Sequence, residues 1–217
     1  MANTNDNSVT KLRASDGAPL GTFSVGNFPT GIVFDGENIW VANSDENTVS
    51  KLLASDGTLL GTFPVGDRPF GLAFDGSNIW VANSYDDTLI KLRARDGAPR
   101  GRVTVGDYPS GVLFDGLKVW VSSYLGNTVS RVDPHTGEIE FTTGVGSIPH
   151  ELAFDGRDVW VTNFGSNNVM ALRRSDGAIK KTYPTGFSPV GIVFDGVSIW
   201  VANYGSSTVN KITRASR

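Results

Sequence analysis

One tripeptide, Phe-Asp-Gly, returns five times at constant spacing: Phe34-Asp35-Gly36, Phe74-Asp75-Gly76, Phe114-Asp115-Gly116, Phe154-Asp155-Gly156 and Phe194-Asp195-Gly196. The tryptophans keep step at Trp40, Trp80, Trp120, Trp160 and Trp200, and so do Pro29, Pro69, Pro109, Pro149 and Pro189. The period is 40 residues without insertion or deletion between these landmarks. A fixed period of this length restricts the chain to stacked copies of one supersecondary unit, each too small to bury its own apolar face.

Each copy reads as four short strands, A to D. In the second full copy, A covers about Gly71 to Phe74, B Asn78 to Ala82, C Thr88 to Leu92 and D Arg100 to Val105. Asp75-Gly76 and Asp96-Gly97 are turn signals, and the β-branched and aromatic residues Ile79, Trp80 and Val81 favour a strand. No segment carries a sustained helical period. Four antiparallel strands per repeat predict an all-β propeller of four-stranded blades. Pro64 and Pro184 place strand D at the rim, because proline cannot donate to an interior ladder.

The blade count follows from the register of the termini. Met1-Ala2-Asn3 aligns with Val41-Ala42-Asn43, so residues 1–26 supply strands C and D, and residues 187–217 supply A to C. With repeats at 27–66, 67–106, 107–146 and 147–186, this predicts one propeller domain over 1–217. Five blades close by pairing the two termini, leaving one copy of strand C redundant. The open alternatives are a piece of a longer propeller and strand exchange between chains. A monomer is expected, with a strand-exchanged oligomer as the other reading.

Composition narrows the function classes. The chain lacks cysteine, which excludes disulfides, thiolate metal sites and cysteine nucleophiles. Its net charge of −3 comes without a basic stripe, so neither nucleic acid nor a membrane surface is an expected partner. The polar start, Met1 to Asn7, has no apolar core of a signal peptide, and no stretch is apolar enough to span a bilayer. A soluble protein is expected, in a compartment these features do not specify.

The units resemble YVTN-type propeller repeats, through Ile39-Trp40-Val41-Ala42-Asn43, Ile79-Trp80-Val81-Ala82-Asn83 and Val159-Trp160-Val161-Thr162-Asn163. Part of the chain also resembles virginiamycin B lyase-like propellers, through the run Asn127 to Glu138 and through Pro149-His150. The first resemblance implies a propeller used for binding or display. The second implies histidines in the proline-histidine position, carboxylates at the end of strand B and a magnesium ion. Here His150 alone matches, and the strand-B ends carry Asn43, Asn83, Ser123, Asn163 and Asn203 instead of carboxylates.

A site is expected on the face shared by the D–A and B–C loops, where the repeat varies most. The position after each proline holds Thr30, Phe70, Ser110, His150 and Val190. The next is glycine except at Glu151, and the position after the strand-B end holds Ser44, Ser84, Tyr124, Phe164 and Tyr204. With Arg68 and Tyr108 from the D–A loops, the candidate ligand-binding set is Arg68, Phe70, Tyr108, Tyr124, His150, Glu151, Phe164 and Tyr204. His150 and Glu151 are neighbours on a strand and should point to opposite faces, which argues against a catalytic dyad. Asp35 and its equivalents read as turn formers rather than metal ligands. No catalytic residue, metal ligand set or cofactor is assigned. The expected function is a non-catalytic binding or scaffold propeller taking a small molecule, glycan or peptide at that mouth. The alternatives are a metal-assisted lyase or hydrolase, and a structural module completed by strand sharing between chains.

Overall fold

The computed structural model of the chain describes residues 1–213. It is all-β apart from two single 3₁₀ turns, and none of its described helices is long and apolar enough to cross a membrane. Two compact units, Met1–Val103 and Thr104–Arg217, each hold three antiparallel sheets.

In the first unit, the first blade is β1 (Ala2–Asn3), β2 (Ser8–Leu12) and β3 (Pro19–Ser24). The second is β4 (Pro29–Phe34), β5 (Asn38–Asn43), β6 (Thr48–Leu53) and β7 (Leu59–Pro64). The third is β8 (Pro69–Phe74), β9 (Asn78–Asn83), β10 (Thr88–Arg93) and β11 (Pro99–Thr104). In the second unit, the fourth blade is β12 (Pro109–Phe114), β13 (Val119–Ser123), β14 (Thr128–Val132) and β15 (Ile139–Gly144). The fifth is β16 (Pro149–Phe154), β17 (Asp158–Asn163), β18 (Asn168–Arg173) and β19 (Ile179–Pro184). The sixth is β20 (Pro189–Phe194), β21 (Ser198–Asn203) and β22 (Thr208–Thr213). Strands within a blade pair in sequence order, and Pro64 and Pro184 end the outermost strands of their sheets.

The chain therefore forms six propeller blades, which corrects the expected five. The five-blade reading merges the two termini into one closing sheet. Instead each copy of strand C pairs with its own strand B: Ala2 opposes Val9 and Asn3 opposes Ser8 in the first blade, while Ala202 opposes Val209 in the sixth. Both copies are satisfied locally, so neither is redundant. Among the described residues the outcome is two three-stranded sheets, β1–β3 and β20–β22.

The repeat register has a hydrogen-bond cause. Asp35 Oδ1 accepts the backbone N–H groups of Glu37 and Asn38 and closes the A–B turn, in which Gly36 takes φ 102°. Its Oδ2 accepts the indole N–H of Trp40 at 2.8 Å. The same indole–carboxylate bond recurs from Trp80 to Asp75, Trp120 to Asp115, Trp160 to Asp155 and Trp200 to Asp195, at 2.6–2.9 Å. The aspartate thus shapes the turn and also satisfies the one polar atom of the tryptophan that packs between blades.

Stacking buries two different faces against each other. Trp40, Ala42 and Val49 of the second blade meet Leu72, Ile79, Val81 and Leu92 of the third. Trp160, Val169 and Ala171 of the fifth likewise meet Ile199 and Val201 of the sixth. Cations latch the outer ends. Lys51 Nζ lies 5.2 Å from the Trp40 ring centroid and donates to the carbonyls of Ala94 and Arg95 in the next blade. Strand A of one blade runs so close to strand A of the next that a Cβ at Gly31 or Gly111 would collide with the carbonyl oxygen of Phe70 or His150.

Candidate loop-face site

Within each blade junction of a unit, the D–A and B–C loops are tied edge to edge. Ser44 N–H donates to Phe28 O, and Tyr124 N–H donates to Tyr108 O at 2.8 Å. The residue before each strand-A proline has a left-handed backbone: Phe28, Arg68, Tyr108, Ile148 and Ser188 all lie near φ 54°. Such a conformation costs a non-glycine residue about 1 kcal/mol or more, so something must hold it. An asparagine from the preceding B–C loop does so. Asn7, Asn47, Asn127 and Asn167 accept the N–H groups of Phe28, Arg68, Ile148 and Ser188 at 2.8–3.0 Å. At these four junctions a braced backbone thus presents whichever side chain occupies this position.

The strand-B asparagines support the same loops from below. Asn43 Oδ1 accepts the N–H of Gly26, while its Nδ2 donates to Thr48 and Ser50. Asn83 and Gly66 repeat the first bond. Several of the variable positions also turn out to join blades. Thr30 and Ser110 donate to the carbonyls of Phe70 and His150, and Ser44 donates to Pro69 O.

In the first unit, Arg68 forms an ion pair with Asp45 and lies against two rings, 5.9 Å from the Phe28 centroid and 5.4 Å from that of Tyr85. The sequence singled out Arg68 but neither ring. Phe28 occupies the register of Tyr108, which is the signal that could have found it. Phe70 is half-buried at the start of β8, and its carbonyl is the acceptor for Thr30.

In the second unit three predicted residues come together. The rings of Tyr108 and Tyr124 are 5.5 Å apart and tilted by 46°, and His150 meets Tyr124 edge-on at 6.2 Å. Burial, which disfavours the charged imidazolium, holds the His150 imidazole below its usual pKa. Glu151 departs in the other direction. Burial raises the pKa of its carboxylate above the usual value, and the nearby Ile192 backbone of the sixth blade lowers it by less. The backbone N–H of Phe164 donates to Ile148 O and that of Tyr204 to Ser188 O, and the Tyr204 side chain stands in solvent. Among the described residues, no three His, Cys, Asp or Glu side chains gather closely enough to hold a metal ion.

Comparisons with known proteins agree on the fold. A family model described as outer membrane protein assembly factor BamB matches residues 98–183. No curated protein sequence matches the chain significantly. Among solved structures, a streptogramin B lyase is similar over the whole chain and 79% of its own length, at 19% identity and a TM-score of 0.81. A protein of unknown function from Desulfotomaculum acetoxidans aligns with 98% of this chain and 77% of its own, at 13% identity and TM-score 0.82. Hydrazine synthase of Kuenenia stuttgartiensis aligns with the whole chain and 92% of its own, at 17% identity and TM-score 0.60. At these identities the likeness concerns architecture alone: the chain is a β-propeller repeat protein, and the neighbours' activities do not transfer by fold.

Proposed function

We propose that this chain is a non-catalytic binding propeller, and that its ligand engages the loop face through the Tyr108–Tyr124–His150 cluster. The observation that carries this reading is the pair of tyrosines, one on a left-handed backbone and joined to the other by a backbone hydrogen bond, with an imidazole at its edge. Such a surface offers flat apolar area and two hydroxyl groups at little cost in side-chain entropy, which suits the face of a sugar ring, an aromatic small molecule or a peptide side chain. In the first unit, Arg68 between Phe28 and Tyr85 forms a separate candidate contact surface. Glu151, Phe164 and Tyr204 are assigned to the periphery of that cluster in the second unit, and Phe70 goes with Arg68 in the first.

The test is a saturation-transfer NMR screen of neutral oligosaccharides, aromatic amides and short peptides. Any hit is then titrated against Tyr108→Ala/Tyr124→Ala. The expected result is a loss of affinity of about tenfold or more, the effect of removing an aromatic anchor. Unchanged affinity in the double variant would assign the ligand elsewhere.

A further inference from the structure

The second and third blades, both in the first unit, enclose a cavity of about 600 Å³ beside their A–B turns. At the junction of the fourth and fifth blades, two repeats later, the same place is taken by one of the protein's own side chains. There Arg174 lies 5.1 Å from the centroid of the Phe154 ring. It gives two bonds to the Asp115 carboxylate, at 2.8 and 3.1 Å, and one to the Asp115 carbonyl. A guanidinium is thus held between an aromatic ring and a turn aspartate.

The residues two repeats earlier form the walls of the cavity. Asp35 stands for Asp115, Phe74 for Phe154 and Ala94 for Arg174, and all three line it. The frame around them is the same. Lys51 donates to the Ala94 carbonyl as Arg131 does to that of Arg174, and Trp40 donates to Asp35 as Trp120 does to Asp115. What differs is the guanidinium, which Ala94 is too short to supply. Burial opposes the Asp35 carboxylate, but bonds from Trp40, Asn38 and Glu37 outweigh it and keep its pKa below the usual value, so this wall is charged at neutral pH. Glu37, where the fourth blade has Leu117, brings a second carboxylate to the cavity.

The rest of the rim has the opposite sign. Arg95 and Arg100 stand where the fifth blade has Ser175 and Lys180. Lys180 is engaged by both oxygens of Asp158, whereas the position of Asp158 is held in the third blade by the neutral Asn78. Among the described residues neither Glu37 nor Arg100 has an ion-pair partner, and Arg95 approaches only Asp96, at 3.6 Å. Arg93, also on the wall, is already paired with Asp96. A ligand that is only a cation meets repulsion from this rim, while one that also carries a carboxylate is complementary to both parts.

We propose that this cavity binds a guanidino acid of the arginine type. The guanidinium lies between Phe74 and the carboxylates of Asp35 and Glu37, and the ligand's own carboxylate faces Arg95 and Arg100. The site shares no residue with the Tyr108–Tyr124–His150 cluster and does not depend on the loop-face reading.

The full 217-residue chain is titrated with L-arginine by isothermal calorimetry. Beside it are L-citrulline, which has the same shape with an uncharged head, and agmatine, which has the head without the carboxylate. The expected result is one-to-one binding of arginine, with citrulline and agmatine each weaker by about tenfold or more, as for losing one charge-assisted set of bonds. The tripeptide Gly-Gly-Arg tells a free amino acid from the end of a peptide: it binds more weakly than arginine in the first case and at least as well in the second. Ala94→Arg supplies the missing guanidinium from within, so it should abolish arginine binding and raise the unfolding temperature. Should that variant fail to fold, the ligand series on the unaltered protein still decides. The proposal is overturned if arginine gives no binding at millimolar concentration, or if citrulline or agmatine binds as tightly as arginine. Unchanged arginine affinity in folded Ala94→Arg overturns it as well.

Discussion

The fifth and sixth blades carry nearly the same residues in the same register, yet one is core and the other surface. Val169 on β18 is fully buried, while Val209, 40 residues later on β22, is 63% exposed. Trp160 is buried where Trp200 is partly open, and Thr162 is buried where Ala202 is exposed. The opposite side of the sixth blade, with Ile199 and Val201, remains buried against the fifth. Strand chemistry is therefore not what makes a residue core in this molecule. The adjacent blade does so, and the difference for one such valine is about 1.5–2 kcal/mol of burial.

This comparison can be broken most decisively by charge. Val169→Asp should cost more than about 4 kcal/mol in urea unfolding, since it buries an unpaired carboxylate, while Val209→Asp should stay within about 0.5 kcal/mol. Equal effects would mean that the open face of the sixth blade is covered in solution. Truncating the tryptophans gives a smaller contrast. Trp160→Ala should lose about 3–5 kcal/mol and Trp200→Ala at most about half of that, because part of its ring already meets water.

Acid should weaken the second unit, by way of the turn aspartates of its fourth and sixth blades. Burial opposes the Asp115 carboxylate, but Arg174, two backbone N–H groups and the Trp120 indole outweigh it and keep its pKa below the usual value. Bonds from the Trp200 indole and from the Ser198 and Val197 backbone take Asp195 to about 2. Both pKa values are depressed, so the unfolded chain binds more protons as the pH falls. The stability they contribute is whole above about pH 4 and is lost on descending through the folded values. Unfolding midpoints followed from pH 7 to 2 should drop in that window, and less steeply in Asp115→Asn. A midpoint that rises on acidification would contradict the sign. The smallest expected effect is at a hydroxyl. Ser122 donates to His150 O at 2.6 Å, and Ser122→Ala should cost about 1 kcal/mol. Ala202→Ser, at the same register on the open face, should be neutral by the same denaturation assay.

Much of this was legible in the sequence. The 40-residue period could be read directly because Asp35 and Trp40 depend on each other through one hydrogen bond, so neither can drift without the other. Strands came out within a residue or two, as with β9 at Asn78–Asn83 against an expected Asn78 to Ala82. The blade count was not legible. The two copies of strand C look alike in composition, and only their pairing with separate strands B shows that they belong to different sheets. At the site, Tyr108, Tyr124 and His150 stood out by departing from the repeat. Phe28 and Tyr85 did not, because their contact with Arg68 depends on a left-handed backbone that an Asn–N–H bond imposes from the previous blade. Hydroxyl bonds to the carbonyls of Phe70 and His150 put Thr30 and Ser110 at the seams between blades.

The most direct test of six separate blades is hydrogen exchange along β22. As the last strand of its sheet it bonds to β21 on one side only, whereas β18 is bonded on both. The account predicts that about half of the amides in Thr208–Thr213 exchange at nearly unprotected rates while those of Asn168–Arg173 are slow throughout. Uniform protection of β22, equal to that of β18, would contradict it and restore a closing sheet shared by the two ends of the chain.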